Sequence, residues 1–100
     1  MISEISVKQE VFDACKEYKV KELHVFGSAV FQELRLVNDL DFLVLFERDG
    51  TEGAFKQFMG FKDSLESIFG KEVDLLTVKK FRNRIFEEEV NRTKQLVYAA

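Results

Sequence analysis

The stretch that decides the fold is VFGS at residues 25–28, followed after ten residues by DLDFLVLF at residues 39–46. The first part ends a run of strand-forming residues, which predicts a strand over Glu22–Phe26 that enters a tight turn at Gly27-Ser28. The second part carries an apolar run from Leu40 to Phe46, which predicts a buried strand. Two strands joined through a Gly-Ser turn are therefore expected at the centre of the molecule.

Three acidic residues interrupt the apolar strands of this sequence. Side chains alternate between the two faces of a strand, so Asp39 and Asp41 point the same way, about 6–7 Å apart. Two carboxylates on one face of an apolar strand are costly to bury unless a positive group satisfies them. Asp74 lies in the same way within Val73–Thr77, a third predicted strand. If the two strands are neighbours, the three carboxylates converge.

The rest of the chain predicts helices and one further strand. Apolar residues at three- and four-residue spacing predict an amphipathic helix from Val7 to Tyr18, with Ser3 as its N-cap. The segment 29–36 suits a short helix or turn. The remaining predicted features are a turn at Asp49-Gly50, a helix from a Thr51 cap to a C-terminal Gly70, a charged helix from Val78 to about Asn91, and a short edge strand over Gln95–Tyr98.

This order of elements predicts an α/β (α+β) fold with a small mixed sheet of three to four strands and flanking helices. The length of 100 residues fits a single domain over residues 1–100, and an apolar content of 46% suffices for its core. A net charge of −3 argues against a general nucleic-acid binder. The lone Cys15 excludes an internal disulfide framework and favours a reducing, cytoplasmic setting. The longest apolar stretch, Leu40 to Phe46, is too short to span a bilayer.

The convergent acids point to a chemistry. Carboxylate oxygens suit hard cations such as Mg²⁺, which completes its coordination shell with water and phosphate oxygens. Two such ions about 4 Å apart can hold the attacking and leaving oxygens of a phosphoryl displacement. The backbone of Gly27-Ser28, where a residue without Cβ lets an anion approach, would hold the distal phosphates. The arrangement predicts chemistry on a nucleoside triphosphate.

The combined motif, VFGS followed by DLDF and later by VDL at residues 73–75, resembles the DNA polymerase β nucleotidyltransferase superfamily. Its smallest branch, the MNT-type minimal nucleotidyltransferases, is similar to nearly the whole chain. The resemblance implies a polymerase β palm-like fold and transfer of AMP from ATP. It also implies that Gly27 and Ser28 contact the β- and γ-phosphates, that Asp39 and Asp41 hold both magnesium ions, and that Asp74 completes the metal site and helps deprotonate the acceptor hydroxyl.

The sequence departs from the family pattern just after the Gly-Ser pair. Many members carry arginines there, whereas Ala29, Val30 and Phe31 follow here; Arg35 is a candidate replacement, and Asn38 stands where Ser is common. The resemblance also implies a partner that brings the acceptor, a HEPN-domain RNase toxin that the MNT protein neutralises as an antitoxin, by binding it, by adenylylating a tyrosine, or by both. A homodimer or a hetero-oligomer is compatible with this interpretation.

Three alternatives remain open beside the active enzyme. The first is an antitoxin that neutralises its partner by binding alone, with vestigial acids. The second is a nucleotide sensor that binds ATP and modifies nothing. The third, an antibiotic nucleotidyltransferase, is disfavoured because a small acceptor needs a walled pocket.

Several other residues have plain structural interpretations. His24 is expected to be a packed or edge histidine, Cys15 a core residue, and the Phe55, Phe58 and Met59 stripe a core-packing face. The basic residues Lys79, Lys80, Arg82 and Arg84 are expected on a solvated helix face. Exposed positions that could serve a partner surface are expected at Phe31, Phe61 and Phe86.

Overall fold

The computed structural model describes residues 8–47, 53–77 and 83–100. Its strands are β1 (Val20–Phe26), β2 (Asp39–Phe46), β3 (Glu72–Thr77) and β4 (Gln95–Ala99). Its helices are α1 (Gln9–Glu17), the four-residue α2 (Ser28–Phe31), α3 (Ala54–Phe69) and α4 (Arg84–Thr93), with a 3₁₀ turn at Leu34–Leu36. Strands and helices follow one another as the sequence predicts. The expected features at Ser3, Asp49-Gly50, Thr51 and Val78 lie outside the described residues.

The strands of the described chain form one mixed sheet in the order β3-β2-β1-β4. Strand β1 is antiparallel to both β2 and β4, whereas β2 and β3 are parallel and are connected through α3. Parallel neighbours need such a crossover, which a helix usually supplies. The mixed sheet with flanking helices confirms the predicted fold class, and β4 confirms the predicted edge strand.

One face of the sheet carries the main hydrophobic core. Alternate residues of β2 point into it, and α1 and α3 cover it with Cys15, Phe61 and Leu65, all fully buried. The core position predicted for Cys15 is confirmed, and burial raises the pKa of its thiol to about 12. The helix α3 ends at Gly70, whose φ of +63° fits the left-handed conformation of a helix C-terminus.

The opposite face of the sheet is covered more thinly. Helix α4 packs there through Val90, which forms a small cluster with Phe26 and Leu43. The start of α4 is held by Asn83, whose side chain accepts hydrogen bonds from the backbone N–H groups of Ile85 (2.8 Å) and Phe86 (3.3 Å). A cleft lies between α4, β3 and the Gly27 turn on this face of the sheet.

Two aromatic predictions on α3 are wrong. Phe61, expected on the surface, has no exposed area, whereas Phe55, expected in a packing stripe, is 78% exposed. The reason is the helical angle: six residues at 3.6 per turn place Phe55 about 120° from Phe61 around the axis. Phe61 and Leu65 point into the sheet, and Phe58 and Met59 are half-buried at the margin.

Arg84 from the basic cluster and His24 have plain structural environments. Of the four basic residues, only Arg84 is described; it is exposed and pairs with Glu88 at 3.5 Å, as expected of a solvated helix face. His24 is half-buried on β1 and lines a cleft with Lys94, which confirms a packed histidine. None of the described helices combines the length and apolar character needed to cross a bilayer.

Candidate active site

Asp41 and Asp74 are side by side in the parallel pair of strands. The register of β2 and β3 places Asp41 directly opposite Asp74, so both side chains rise from the same face of the sheet. A hydrogen bond between these two carboxyl groups forms only when one of them carries a proton. Burial, the charges of Asp74 and Asp39 and this hydrogen bond together raise the pKa of Asp41 to about 6.

The Gly27 turn lies directly against Asp41. In the antiparallel pair of β1 and β2, Phe26 is opposite Asp41, so the chain turns at Gly27 just beside the carboxylate. Gly27 has φ +74° and ψ −151°, and a Cβ built there would overlap Oδ2 of Asp41. Only glycine therefore fits between the turn and the acid. Ser28 follows at the start of α2 and is exposed.

Asp39 lies at the beginning of β2 and lines a cleft that does not include Asp41. It is exposed, and it lines a polar cleft of about 340 Å³ together with Lys62, Glu66 and Asp74. Lys62 and Glu66 form an ion pair at 3.3 Å, and Glu66 also accepts a hydrogen bond of 2.9 Å from the backbone N–H of Val73. These contacts hold the start of β3 against α3 and form one wall of the cleft.

A second, larger cleft of about 480 Å³ opens on the other side of Asp74. Gly27, Asp41 and Asp74 lie at its base, and its walls come from α2, β3 and α4. The wall residues are Phe26, Phe31, Leu76, Phe86, Glu89, Val90 and Thr93. Asp74 thus borders both clefts, and the larger one combines carboxylates with an aromatic wall.

The described lining of the larger cleft holds no replacement for the arginines that commonly follow the Gly-Ser pair. None of the described residues that line it is basic. Arg35, the candidate replacement, lies in the 3₁₀ turn and binds Glu33 at 2.8 Å with both side chains exposed. It is not among the lining residues of either cleft. Two described basic residues lie close to the clefts: Lys62 lines the polar cleft, and Arg92 pairs with Glu89 in the wall of the larger one.

The carboxylates fit a divalent cation in chemistry, although they are not gathered into a coordination shell. Among the residues that the structure describes, no three His, Cys, Asp or Glu side chains stand ready to hold a metal ion. Besides burial, the negative charges of Asp74 and Asp39 raise the pKa of Asp41. A cation would reverse that effect, and carboxylate oxygens are the donors that Mg²⁺ prefers. Since Asp39 is exposed, its side chain has room to rotate toward Asp41.

Residues 8–97 match the model of the nucleotidyltransferase domain family, and the chain belongs to that family. It is therefore a nucleotidyltransferase, as its motif predicts. The chain is 30% identical over 82 residues to MJ1379 of Methanocaldococcus jannaschii, named as a candidate protein adenylyltransferase; the match covers 82% of this chain and 79% of that protein.

Solved structures confirm the nucleotidyltransferase fold. A candidate minimal nucleotidyltransferase superposes with a TM-score of 0.68 at 29% identity, over 87% of this chain and 85% of that one. A chain from the complex of a tri-AMPylated Shewanella oneidensis HEPN toxin with its MNT antitoxin gives a TM-score of 0.65 at 15% identity, over 100% of this chain and 74% of that one. At 15% identity the second likeness shows the shared fold.

Sequence reasoning found the acids and the turn but missed the walls of the clefts. Phe31 and Phe86 were expected on the surface, and both are exposed, at 72% and 44%. Their shared position beside Asp41 could not be inferred, because they belong to helices separated by more than fifty residues. Lys62 carried no signal either, since an i,i+4 pair with an acid is common on any helix.

Proposed function

We propose that this chain transfers AMP from ATP to a tyrosine hydroxyl of a HEPN-domain toxin, with Mg²⁺ as cofactor, and acts as the antitoxin of that partner. The observation that carries the proposal is the Asp41–Asp74 pair packed against the Gly27 turn at the base of one cleft. The acids of the motif thus lie beside the turn to which we assign the phosphates.

In the proposed transfer the three acids and the Gly27-Ser28 turn would have separate roles. Asp39, Asp41 and Asp74 would hold two magnesium ions, which neutralise phosphate charge and orient the reacting oxygens when bound. The backbone of Gly27 and the Ser28 hydroxyl would hold the β- and γ-phosphates. The acceptor oxygen would then form a bond to the α-phosphorus while the bond to the bridging oxygen breaks and pyrophosphate leaves. Asp74, which borders both clefts, would accept the proton of the acceptor hydroxyl.

The partner is proposed from the relatives. One relative is named as a candidate protein adenylyltransferase, and one solved complex of the same fold pairs an MNT antitoxin with an AMPylated HEPN toxin. In this proposal the acceptor hydroxyl comes with the partner. We place the reaction in the cytoplasm, where a lone thiol such as Cys15 stays reduced.

The test is incubation with α-labelled ATP, Mg²⁺ and the HEPN-domain protein encoded beside this chain, followed by gel autoradiography and mass spectrometry. We expect label on a tyrosine of the partner, and we expect the Asp39→Asn/Asp41→Asn variant to lose it. The matched control is Asp13→Asn/Asp63→Asn, which removes two exposed helical acids away from the site. Transfer that persists undiminished in the first variant would contradict the proposed active site.

A second candidate function, neutralisation by binding alone, is favoured by one observation. No basic side chain lines the described part of the larger cleft, so phosphate binding lacks the usual charge support. Expression of the toxin with the Asp39→Asn/Asp41→Asn variant separates the two functions. Growth rescue by that variant, with a stable complex, would support binding alone. Failure of rescue despite normal folding and complex formation would support catalysis.

A further inference from the structure

Phe31 has an exposed position that core packing does not explain. It ends the four-residue helix α2, four positions after Gly27, and 72% of its surface is accessible. A single exposed aromatic ring is common on protein surfaces, so the informative feature of Phe31 is its position in the lining of a cleft. Phe31 borders the same cleft as Gly27 and Asp41, so an occupant of that cleft would meet its ring.

Phe86 lines the same cleft from another element, the first turn of α4. Its ring contacts Phe26 edge to face, with centroids 6.1 Å apart and planes at 75°. The Asn83 cap, whose side chain accepts a hydrogen bond from the backbone N–H of Phe86, fixes the same turn. Phe86 is therefore held in place before any ligand binds, and it still presents part of its ring to the cleft.

We propose that Phe31 and Phe86 form the nucleobase site of this cleft, so that the base of the nucleoside triphosphate stacks on these rings while its phosphates lie at Gly27. This inference rests on the proposed function. The volume of about 480 Å³ is within the range of small-molecule sites, about 300–1,000 Å³. Aromatic walls bind bases by stacking, which tolerates any base. On the α4 side the cleft is lined by Glu89, whose carboxylate pairs with Arg92, and by Thr93, whose hydroxyl donates to the Glu89 carbonyl at 2.9 Å.

The two clefts separate the base from the acceptor. The larger cleft holds the Gly27 turn and the aromatic rings, whereas the smaller one is lined by charged groups, including Lys62 and Glu66. Asp74 is common to both, so a phosphate at this residue can be reached from either side. The nucleoside therefore occupies the aromatic side, and the acceptor hydroxyl arrives from the polar side. A stacked base also supplies binding free energy that does not depend on the missing arginines.

The test uses calorimetric titration of the full chain with two magnesium-bound probes, α,β-methylene-ATP and inorganic tripolyphosphate. The first has a base and cannot donate AMP; the second has only phosphates. Phe31→Ala should weaken binding of the ATP analogue about tenfold and leave tripolyphosphate binding unchanged. Phe86→Leu should have a similar selective effect, and Phe31→Tyr should retain the affinity. The matched control is Phe55→Ala, which removes an equally exposed ring on α3 that does not line the cleft.

Three outcomes would overturn the inference. Unchanged affinity of Phe31→Ala and Phe86→Leu for the ATP analogue would contradict the nucleobase site but not the proposed function. The same result with weaker binding of the HEPN partner would assign these rings to the protein interface. If the unaltered chain bound neither probe, the proposed function would fail together with the base site.

Discussion

Gly27 and Asp41 are placed so closely that no side chain fits between them. The turn after β1 has a positive φ of 74°, and an added Cβ would overlap the Asp41 carboxylate. Asp41 in turn stands opposite Asp74 in the parallel register of β2 and β3. The turn and the acid pair are therefore in direct contact, and a side chain added at Gly27 would displace the Asp41 carboxylate.

Replacing Gly27 tests this contact. We expect Gly27→Ala to destabilise the fold by about 1–3 kcal/mol, because alanine rarely adopts this backbone conformation. Because the Asp41 carboxylate must also move, AMP transfer should fall roughly 100-fold. Urea unfolding and the labelled-ATP assay measure the two effects.

The control for this substitution is Gly53→Ala. Gly53 has a similar φ of 75°, but a Cβ there would meet nothing within 4 Å. Gly53→Ala should lower the free energy of unfolding by about 1 kcal/mol and leave AMP transfer unchanged. Equal transfer by the Gly27 and Gly53 variants would show that the contact with Asp41 has no role in the reaction.

The stability of the metal-free protein should depend on pH through Asp41. Its pKa is about 6 in the fold against an ordinary 3.8, so the folded state binds the proton more tightly than the unfolded state. The free energy of unfolding should therefore fall as pH rises from about 4 to 6 and stay lower above that range. Because Asp41 is partly solvated, we expect an effect of about 1 kcal/mol.

Urea unfolding in EDTA between pH 4 and 7.5 checks this dependence. Asp41→Asn should remove this pH dependence of the free energy of unfolding and raise the stability at pH 7.5. Asp63→Asn, which replaces an exposed acid on α3, should keep the pH dependence. A loss of stability on acidification through pH 6 that Asp41→Asn abolishes would give the opposite sign and refute the argument.

Mg²⁺ should stabilise the fold if the carboxylates bind it. A cation that binds only the folded state raises the free energy of unfolding, by about 2.7 kcal/mol at a concentration of 100 Kd. For a domain of this size, each kcal/mol corresponds to about 4–8 °C in Tm. Thermal unfolding at pH 7.5 should show an increase with MgCl₂ and none with NaCl of equal ionic strength.

Single substitutions of the acids show which carboxylates bind Mg²⁺. Asp41→Asn and Asp74→Asn should lose most of the Mg²⁺-induced increase in Tm, and Asp63→Asn should retain it. An identical increase in all three variants would place the cation elsewhere on the protein.

Gly60 on α3 lies against the ring of Tyr18. This contact predicts that Gly60→Ala destabilises the fold when Tyr18 is present and stabilises it when Tyr18 has been replaced by alanine. A Cβ at Gly60 would be 2.6 Å from Cε1 of Tyr18. The rings of Tyr18 and Phe61 lie next to each other, with centroids 6.1 Å apart. The backbone carbonyl of Tyr18 accepts a hydrogen bond of 2.7 Å from the side-chain amide of Gln57. Gly60→Ala should therefore destabilise the fold by about 1–2 kcal/mol.

With Tyr18→Ala already present, the same substitution should stabilise α3 by about 1 kcal/mol, because alanine is the better helix former. A double-mutant cycle by urea unfolding measures the difference. Additive effects of the two substitutions would exclude the steric contact.

Local chemistry made part of the site predictable. The same-face arrangement of Asp39 and Asp41 follows from the two-residue period of a strand, and the turn at Gly27-Ser28 follows from the end of a strand-forming run. The pairing of Asp41 with Asp74 needed one assumption, that their strands are neighbours, which the parallel register confirms. The ligand roles of the acids stay predictions.

The sequence by itself determined the element order, the fold class and the motif residues, because these depend on periodicity and turn chemistry over a few neighbouring positions. Only the tertiary structure decided that Phe61 is buried and Phe55 exposed, that Asp39 and Asp41 line different clefts, and that Phe31 and Phe86 line one cleft with Gly27. These relationships depend on how helices lie across the sheet. That placement results from the packing of all buried side chains together, and no local pattern encodes it.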